Sequence, residues 1–315
     1  MIRTGVVLAF LGVLCLAPAG RPTVLAQTPI RVLLITGQSN RFHNWHVSSA
    51  IIKRQLEESR RFVVSVVTTP PKGTEPNQDM SSFAPEFRGY GAVVLDYEGF
   101  EFAPPTKRAL VDFVANGGGL VVIHAANNAF PAWSEFNDMI GVGGWGGFTP
   151  GYASRTVAAG PKVRWRDGRM VLDSETPGEA QHPSPHDFVM TVRTHDHPVV
   201  KGLPPEWLHA RDELYSNLRG PSKNLTVLVT ATAPTTMPNG TGENEPLIMA
   251  LTYGKGRVFH NTLGHVGPKQ TEPVVPMNSV DFITLLQRGT EWAATGTVTI
   301  PVPADFPTKD KTSVR

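Results

Sequence analysis

From Ile30 onward the chain alternates between two patterns. Short unbroken apolar runs, each closed by glycine or a polar residue, are separated by stretches with apolar residues at helical spacing. Ile30-Arg31-Val32-Leu33-Leu34-Ile35-Thr36 ends at Gly37, as a strand buried on both faces does. Between Val47 and Arg60, the residues Val47, Ile51, Ile52, Gln55 and Leu56 line one side of a helix, with Ser48 and Ser49 near its start. Phe62 to Thr68 is rich in β-branched residues and predicts a second strand. A polar, proline-rich loop from Pro70 to Phe83 leads to a third strand, Ala92 to Asp96. Pro104 and Pro105 open a helix, where the missing N–H costs nothing, and Asn116-Gly117-Gly118-Gly119 closes it. Leu120 to His124 is a fourth strand. This alternation predicts the α/β class: a doubly wound, mostly parallel sheet with helices on both faces.

The second half is less regular. Gly141 to Tyr152 is a glycine-rich loop without the strand-to-helix context that a phosphate-binding loop needs. Lys162 to Arg166 and Asp187 to Arg193 predict strands of an added β layer. Thr226 to Thr232, Pro246 to Tyr253 and Gly256 to Thr262 predict three more, the last two joined as a hairpin through Tyr253-Gly254-Lys255-Gly256. Ser279 caps a final helix carrying Val280, Phe282, Ile283, Leu285, Leu286, Trp292 and Ala293. No repeat or linker divides the chain, which implies one domain over 27–296 and a loosely held proline- and lysine-rich tail over 297–315.

The N-terminus changes the picture of where the protein works. Arg3 is followed by an apolar run, Val6 to Leu16, too short to span a bilayer, and then by Val24-Leu25-Ala26. The pattern predicts a signal peptide over 1–26, Gln27 as the first mature residue, and a periplasmic or secreted protein without stable membrane insertion. Cleavage removes Cys15, the only cysteine among 315 residues. That excludes disulfides, thiolate ligands and a cysteine nucleophile from the mature chain. Cleavage also removes Arg3 and Arg21 and no acid, bringing 29 basic residues level with the 27 acidic ones. A neutral chain has no electrostatic reason to seek nucleic acid or an anionic membrane.

In open α/β sheets, ligands bind beyond the carboxyl ends of the strands. Gln38, His43 and His46 follow the first strand, Asp96 and Glu98 the third, His124 and Asn127 the fourth, and His265 the last through Gly264. Each has a structural alternative: His124 as a buried histidine bonded to a carbonyl, His43 and His46 as helix caps, Asp96 as a turn residue, Glu98 and Glu101 as solvated charges. His182, His186 and His209 are read as surface or loop histidines. Neutral imidazoles with a carboxylate suit a divalent, zinc-like ion, for which His43, His46, His124 and His265 are the candidate ligands. The stretch Val122-Ile123-His124-Ala125-Ala126-Asn127 offers no hydroxyl or thiol where a nucleophile elbow would carry one, which excludes acyl-enzyme chemistry.

Three stretches together resemble the ThuA-like (trehalose-utilisation) family. They are Gly117 to Ala126 followed by Trp133 and Ile140-Gly141; Asp196-His197-Pro198 to Pro204 leading to Arg211-Asp212-Glu213-Leu214-Tyr215; and Tyr253 to Phe259, then Leu263-Gly264-His265 and Arg288 to Ala293. The resemblance implies a flavodoxin-like, class I glutamine amidotransferase-like sheet lacking the cysteine nucleophile, and a role in the metabolism of small-molecule carbohydrates, including keto-sugars. By position His124, Asp212, Glu213 and His265 match the family's recurrent polar residues, and His43 or His46 its histidine after the first strand. The expected catalytic roles are proton shuttling by His124 and His265, with Asp212 or Glu213 orienting one of them or serving as base. The resemblance also implies a His-Pro pair soon after the Gly-Gly of the glycine-rich loop, where this chain has Phe148-Thr149-Pro150. Gln38, His43, Asp96, Asn127 and Trp145 are the expected substrate-binding residues, with Trp145 placed to stack on a sugar and Trp133 to pack in the core. The resulting expectation is an exported enzyme acting on a keto-glycoside by general acid–base chemistry. A non-catalytic sugar-binding or scaffold protein, and a metal-dependent hydrolase of unrelated substrate, remain open alternatives.

Overall fold

The computed structural model describes residues 1–2, 5, 28–74, 78–145 and 160–315. The expected signal segment and Phe148-Thr149-Pro150 therefore lie outside the described residues. In chain order the elements begin with β1 (Ile30–Thr36), α1 (Trp45–Glu58), β2 (Phe62–Thr68), β3 (Ala92–Leu95), α2 (Pro104–Ala115) and β4 (Gly119–Ile123). A short 3-10 turn (His124–Asn128) precedes α3 (Ser134–Ile140). Then come β5 (Lys162–Arg166), β6 (Arg169–Asp173), β7 (His186–Val192), β8 (Glu206–Asp212), β9 (Leu225–Thr232), β10 (Asn244–Tyr253) and β11 (Gly256–Asn261). The last two elements are α4 (Val275–Asn278) and α5 (Val280–Thr295).

Among the described residues, nine strands form one sheet in the order β2-β1-β3-β4-β11-β10-β9-β7-β8. The five from β2 to β11 run parallel, and the remaining four extend the sheet with antiparallel pairings. Side-chain alternation explains why the parallel strands read as unbroken apolar runs. Val32 and Leu34 of β1 face the cluster built with Ile51, Ile52 and Leu56 of α1 and Phe282, Leu285 and Leu286 of α5. Leu33 and Ile35 face the other way, onto Leu110 and Val114 of α2 and Phe136, Met139 and Ile140 of α3. Each such side chain contributes roughly 1.5–3 kcal/mol of burial.

Three expectations are corrected. Asp187 to Arg193 is not in an added layer: β7 pairs with β8 and β9 inside the main sheet, and only the β5–β6 hairpin stands apart. The sheet is therefore less parallel than the alternation in the first half predicts, because the second half adds hairpin-style connections rather than crossovers. The tail 297–315 is not loosely held. Its Thr308 carbonyl accepts from the Leu208 N–H at 2.8 Å, its Ser313 carbonyl from Val280 at 2.9 Å, and Val298, Ile300, Val302 and Phe306 pack against the core. Ser279 sits at the start of α5 but makes no side-chain cap; its hydroxyl donates to Asp281 instead.

The helix ends follow local chemistry. Pro104 and Pro105 start α2, and Gly296 ends α5 in the left-handed region at φ 80°, its N–H bonding the Trp292 carbonyl at 2.7 Å. No helix among the described residues is long and apolar enough to cross a membrane. Because β1, β3, β4 and β11 are parallel, their carboxyl ends share one edge of the sheet, and that edge carries the site.

Candidate metal and substrate site

His124 occupies the sharp turn at the end of β4, with a left-handed backbone at φ 46°. That conformation is costly for a residue with a Cβ and aims the imidazole out of the strand direction. Its Nδ1 donates to the Thr262 carbonyl at 2.7 Å, which fixes the tautomer and leaves the lone pair on Nε2. Burial, reinforced by the neighbouring His43 and His265, pushes its pKa down to about 3 against the opposing pull of Glu213. His124 is therefore a neutral imidazole whose Nε2 is an acceptor.

Around that nitrogen three further side chains gather. His265 Nδ1 lies 3.2 Å from His124 Nε2, and Glu213 Oε2 lies 3.6 Å from it. Glu213 Oε2 is 3.2 Å from His265 Nδ1. His43, from the loop after β1, presents its ring edge-on to both histidines at centroid distances of 5.0 and 5.2 Å. Candidate ligand atoms of His43, His124, Glu213 and His265 all fall within 4.8 Å of one another.

The donor set fits a divalent ion. Zinc bonds of about 2.0–2.2 Å put tetrahedral ligand atoms roughly 3.3–3.6 Å apart. The observed separations of 3.2, 3.2 and 3.6 Å among His124, His265 and Glu213 are close to those edges. The outer contacts fit as well. His43 Nδ1, buried and without a hydrogen bond, stands 3.6 Å from Glu98 Oε2, and a carboxylate behind a ligating histidine is a recurrent arrangement. Desolvation works against the charges on Glu213 and His265, but their mutual attraction prevails: Glu213 is held below the usual carboxylate range and His265 above the usual histidine range.

A cavity of about 300 Å³ opens beside the cluster, bounded by His43, Glu213 and His265, by Tyr215 and His182, and by Phe42, Leu218 and Pro268. Asn40, Asn128 and Gln181 add amides to its wall. The Tyr215 hydroxyl donates to His124 Nε2 at 3.1 Å, and His182 Nε2 lies 3.5 Å from the outer oxygen of Glu213. The cavity thus combines an apolar wall with convergent polar groups, the usual composition of a small-molecule site.

Not every sequence-predicted site residue reaches it. His46 is exposed and stacks on Trp45 at 3.6 Å between ring centroids; Glu213 takes the fourth place in the donor set. Asp212 is fully buried and faces away from the cavity, accepting the N–H groups of Glu213, Gly264 and His265. Gln38 braces loops: its amide donates to the Pro70 carbonyl at 2.7 Å and accepts from Tyr97 and from the Phe100 N–H. Asp96 accepts from Ser48 and Ser49 at 2.7 and 2.6 Å, tying α1 to β3, and burial raises its pKa. Asn127 is buried beneath the turn with an unpartnered amide, and its neighbour Asn128 lines the cavity in its place. Trp145 is 2% exposed, which leaves no face for a sugar; its indole packs in the core beside Ala129.

Other residues were underread in the sequence. His209 is a fully buried strand residue, not a surface histidine. His182 lines the cavity from an irregular stretch, with no periodicity to announce it. Tyr215 follows Glu213 at the spacing that puts two side chains on one face of extended chain, which is the one signal that was available.

The sequence profile of the family described as trehalose utilisation (ThuA) matches residues 31–293. The chain is similar to the crystal structure of a ThuA-like protein from Parabacteroides merdae, with 46% identity and a TM-score of 0.83, covering 91% of this chain and 98% of that one. A ThuA-like protein from Bacteroides uniformis shares the fold at 16% identity and a TM-score of 0.52, covering 89% of this chain and 97% of that one. No curated protein matches the chain.

Proposed function

The chain belongs to the ThuA (trehalose-utilisation) family, and from that premise we propose that it is a carbohydrate-active enzyme centred on His43, His124, Glu213 and His265. The observation that carries this reading is the convergence of three imidazoles and one carboxylate, from four separate segments, beside a cavity of about 300 Å³. The five parallel strands with helices on both faces support a flavodoxin-like, class I glutamine amidotransferase-like ancestry for the scaffold.

The proposed substrate is a small glycoside, with an oxidised (3-keto) sugar as the preferred form. Its carbonyl acidifies the adjacent C–H, so the site needs one group to take that proton and another to serve the departing oxygen. This chemistry permits isomerisation, elimination or glycosidic cleavage without a covalent intermediate. A divalent, zinc-like ion held by the four side chains would supply Lewis acidity toward a sugar oxygen.

The chain's own residues supply the rest. Without the ion, His265 Nδ1 and Glu213 Oε2, 3.2 Å apart, share a proton, which would be released when the four side chains take up the ion. His124 keeps its fixed tautomer, so Nε2 accepts rather than donates. His182 and Tyr215 border the cavity and are the groups that meet a sugar hydroxyl. Phe42, Leu218 and Pro268 cover the apolar face of the ring and exclude water.

The test is turnover of a panel of glucosides and 3-keto-glucosides by the wild type, with and without a chelator, and by His265→Ala and Glu213→Gln. The expected result is turnover of at least one keto-glycoside that falls roughly 100-fold or more in each variant. Sugar binding without turnover by any form would make this a binding protein instead. We also read the chain as exported. A mature protein beginning at Gln27, recovered outside the cytoplasm, is the expected finding, and a cytoplasmic protein retaining residues 1–26 would overturn it.

A further inference from the structure

Next to the cluster lies a second set of charged side chains that does not line the cavity. His209 and Asp212 of β8 and Asp281 in the first turn of α5 are each 0% exposed. His209 Nδ1 is 2.7 Å from Asp281 Oδ2, and its Nε2 is 3.1 Å from Asp212 Oδ2. Both carboxylates already accept from other donors: Asp281 from the Trp207 indole at 2.8 Å and from Ser279, Asp212 from backbone N–H groups. A ring whose two nitrogens each face an accepting carboxylate donates from both, so His209 bridges the two acids.

The far end of this bridge is where it bears on the site. Asp212 Oδ2 accepts the Gly264 N–H at 2.6 Å, and Oδ1 accepts the N–H groups of His265 at 3.1 Å and Glu213 at 2.8 Å. One carboxylate therefore pins the backbone of two candidate ligands that are far apart in sequence. Gly264 adopts φ 105°, a conformation reserved for glycine, so the loop bearing His265 turns sharply at the pinned point.

A buried acid–base–acid set is weak as a source of stability, because well-packed apolar replacements are commonly as good or better. What it supplies here is a fixed position for Asp212. We propose that His209 is a positioning residue for the candidate centre: clasped by Asp281, it holds Asp212, and Asp212 sets the backbone from which Glu213 and His265 reach their shared site. The inference rests on the reading of the cluster as a metal centre for its consequence, but its geometry can be tested without a metal.

The experiment uses His209→Gln and Asp281→Asn in the full mature chain, with Val64→Ala as a control that truncates the core on the distant strand β2. Zinc affinity is measured by chelator competition, the visible spectrum is recorded with cobalt, and amide hydrogen exchange is followed at Gly264 and His265 without metal. Loss of an outer contact typically weakens metal binding about 10–100-fold. The expected result is a loss of that order and an altered cobalt spectrum in both variants, with exchange at Gly264 and His265 roughly tenfold faster or more. Val64→Ala is expected to lose stability while keeping the zinc affinity and the spectrum. Should His209→Gln not fold, Asp281→Asn carries the test alone. Folded variants with wild-type zinc affinity, spectrum and amide protection would overturn the proposal. If wild type takes up no zinc while the variants still deprotect Gly264 and His265, the metal reading falls and the positioning role stands.

Discussion

At His124 a strand end, a left-handed backbone and a fixed tautomer meet. The φ of 46° goes with a ring turned toward His265 and Glu213, and the bond from Nδ1 to the Thr262 carbonyl makes Nε2 the acceptor nitrogen. Asparagine tolerates left-handed backbone better than other residues with a Cβ, so His124→Asn separates the ligand from the strain. This variant is expected to fold, with stability within about 1 kcal/mol of wild type, and to lose zinc affinity roughly 100-fold or more. Equal zinc affinity in titration would remove His124 from the donor set. At this scale, strand ends and the family resemblance pointed to His43, His124, Glu213 and His265, which the fold brings together. The sequence did not reveal that His46, Gln38, Asp96, Asn127 and Trp145 stand outside the wall of the cavity beside that cluster, because which way a loop side chain turns depends on partners from other elements. Ser48 and Ser49 capture Asp96, and Pro70 with Tyr97 captures Gln38.

At the scale of elements, the tail shows what composition fails to predict. Proline and lysine suggested a loose end, yet Glu291 of α5 accepts from the N–H and hydroxyl of Thr299 and from the N–H of Ile300, and Arg288 donates to the Ile300 carbonyl at 2.6 Å. Phe306 packs edge-on against Trp207, 5.3 Å between centroids, on the strand that carries Asp212. Removing 297–315 exposes that surface and strands buried polar groups on α5, each costing about 1–3 kcal/mol. The expected outcome of truncation after Gly296 is a clear fall in the urea midpoint, and an unchanged midpoint would show that the tail adds nothing. The parallel half of the sheet was legible because buried strands and proline-started helices have sharp sequence patterns. The antiparallel half was legible only in part: β9, β10 and the β10–β11 hairpin were, but the place of β7 in the main sheet and the existence of β8 were not. Strands such as β8, with Glu206, His209, Arg211 and Asp212, look polar until their partners are known.

For the whole molecule, the buried histidines set how stability depends on pH. Burial lowers His260 and His197 to about 4, below their unfolded value near 6.5. The unfolded chain therefore binds more protons, and stability is lost as pH falls from about 6.5 toward 4, His260 alone contributing roughly 3 kcal/mol to that loss. His209 behaves oppositely: burial alone would lower it, but Asp281 and Asp212 outweigh that and hold it up at about 10. Its contribution is complete below about 6.5 and is lost as pH rises through 10. Urea midpoints are expected to peak near neutral pH and decline on both sides. His260→Phe should flatten the acid limb, and an unchanged acid limb in that variant would contradict the assignment.

All of these features serve one arrangement, in which the carboxyl ends of β1, β4 and β11 and the end of β8 deliver four side chains to one point beside a cavity. Anomalous diffraction from crystals of residues 27–315 grown with zinc tests it most directly. The expected result is a single strong peak at the zinc edge, about 2.0–2.2 Å from nitrogens of His43, His124 and His265 and an oxygen of Glu213. No peak there, or a peak held by other residues, would contradict the metal centre and with it the catalytic reading built on these four side chains.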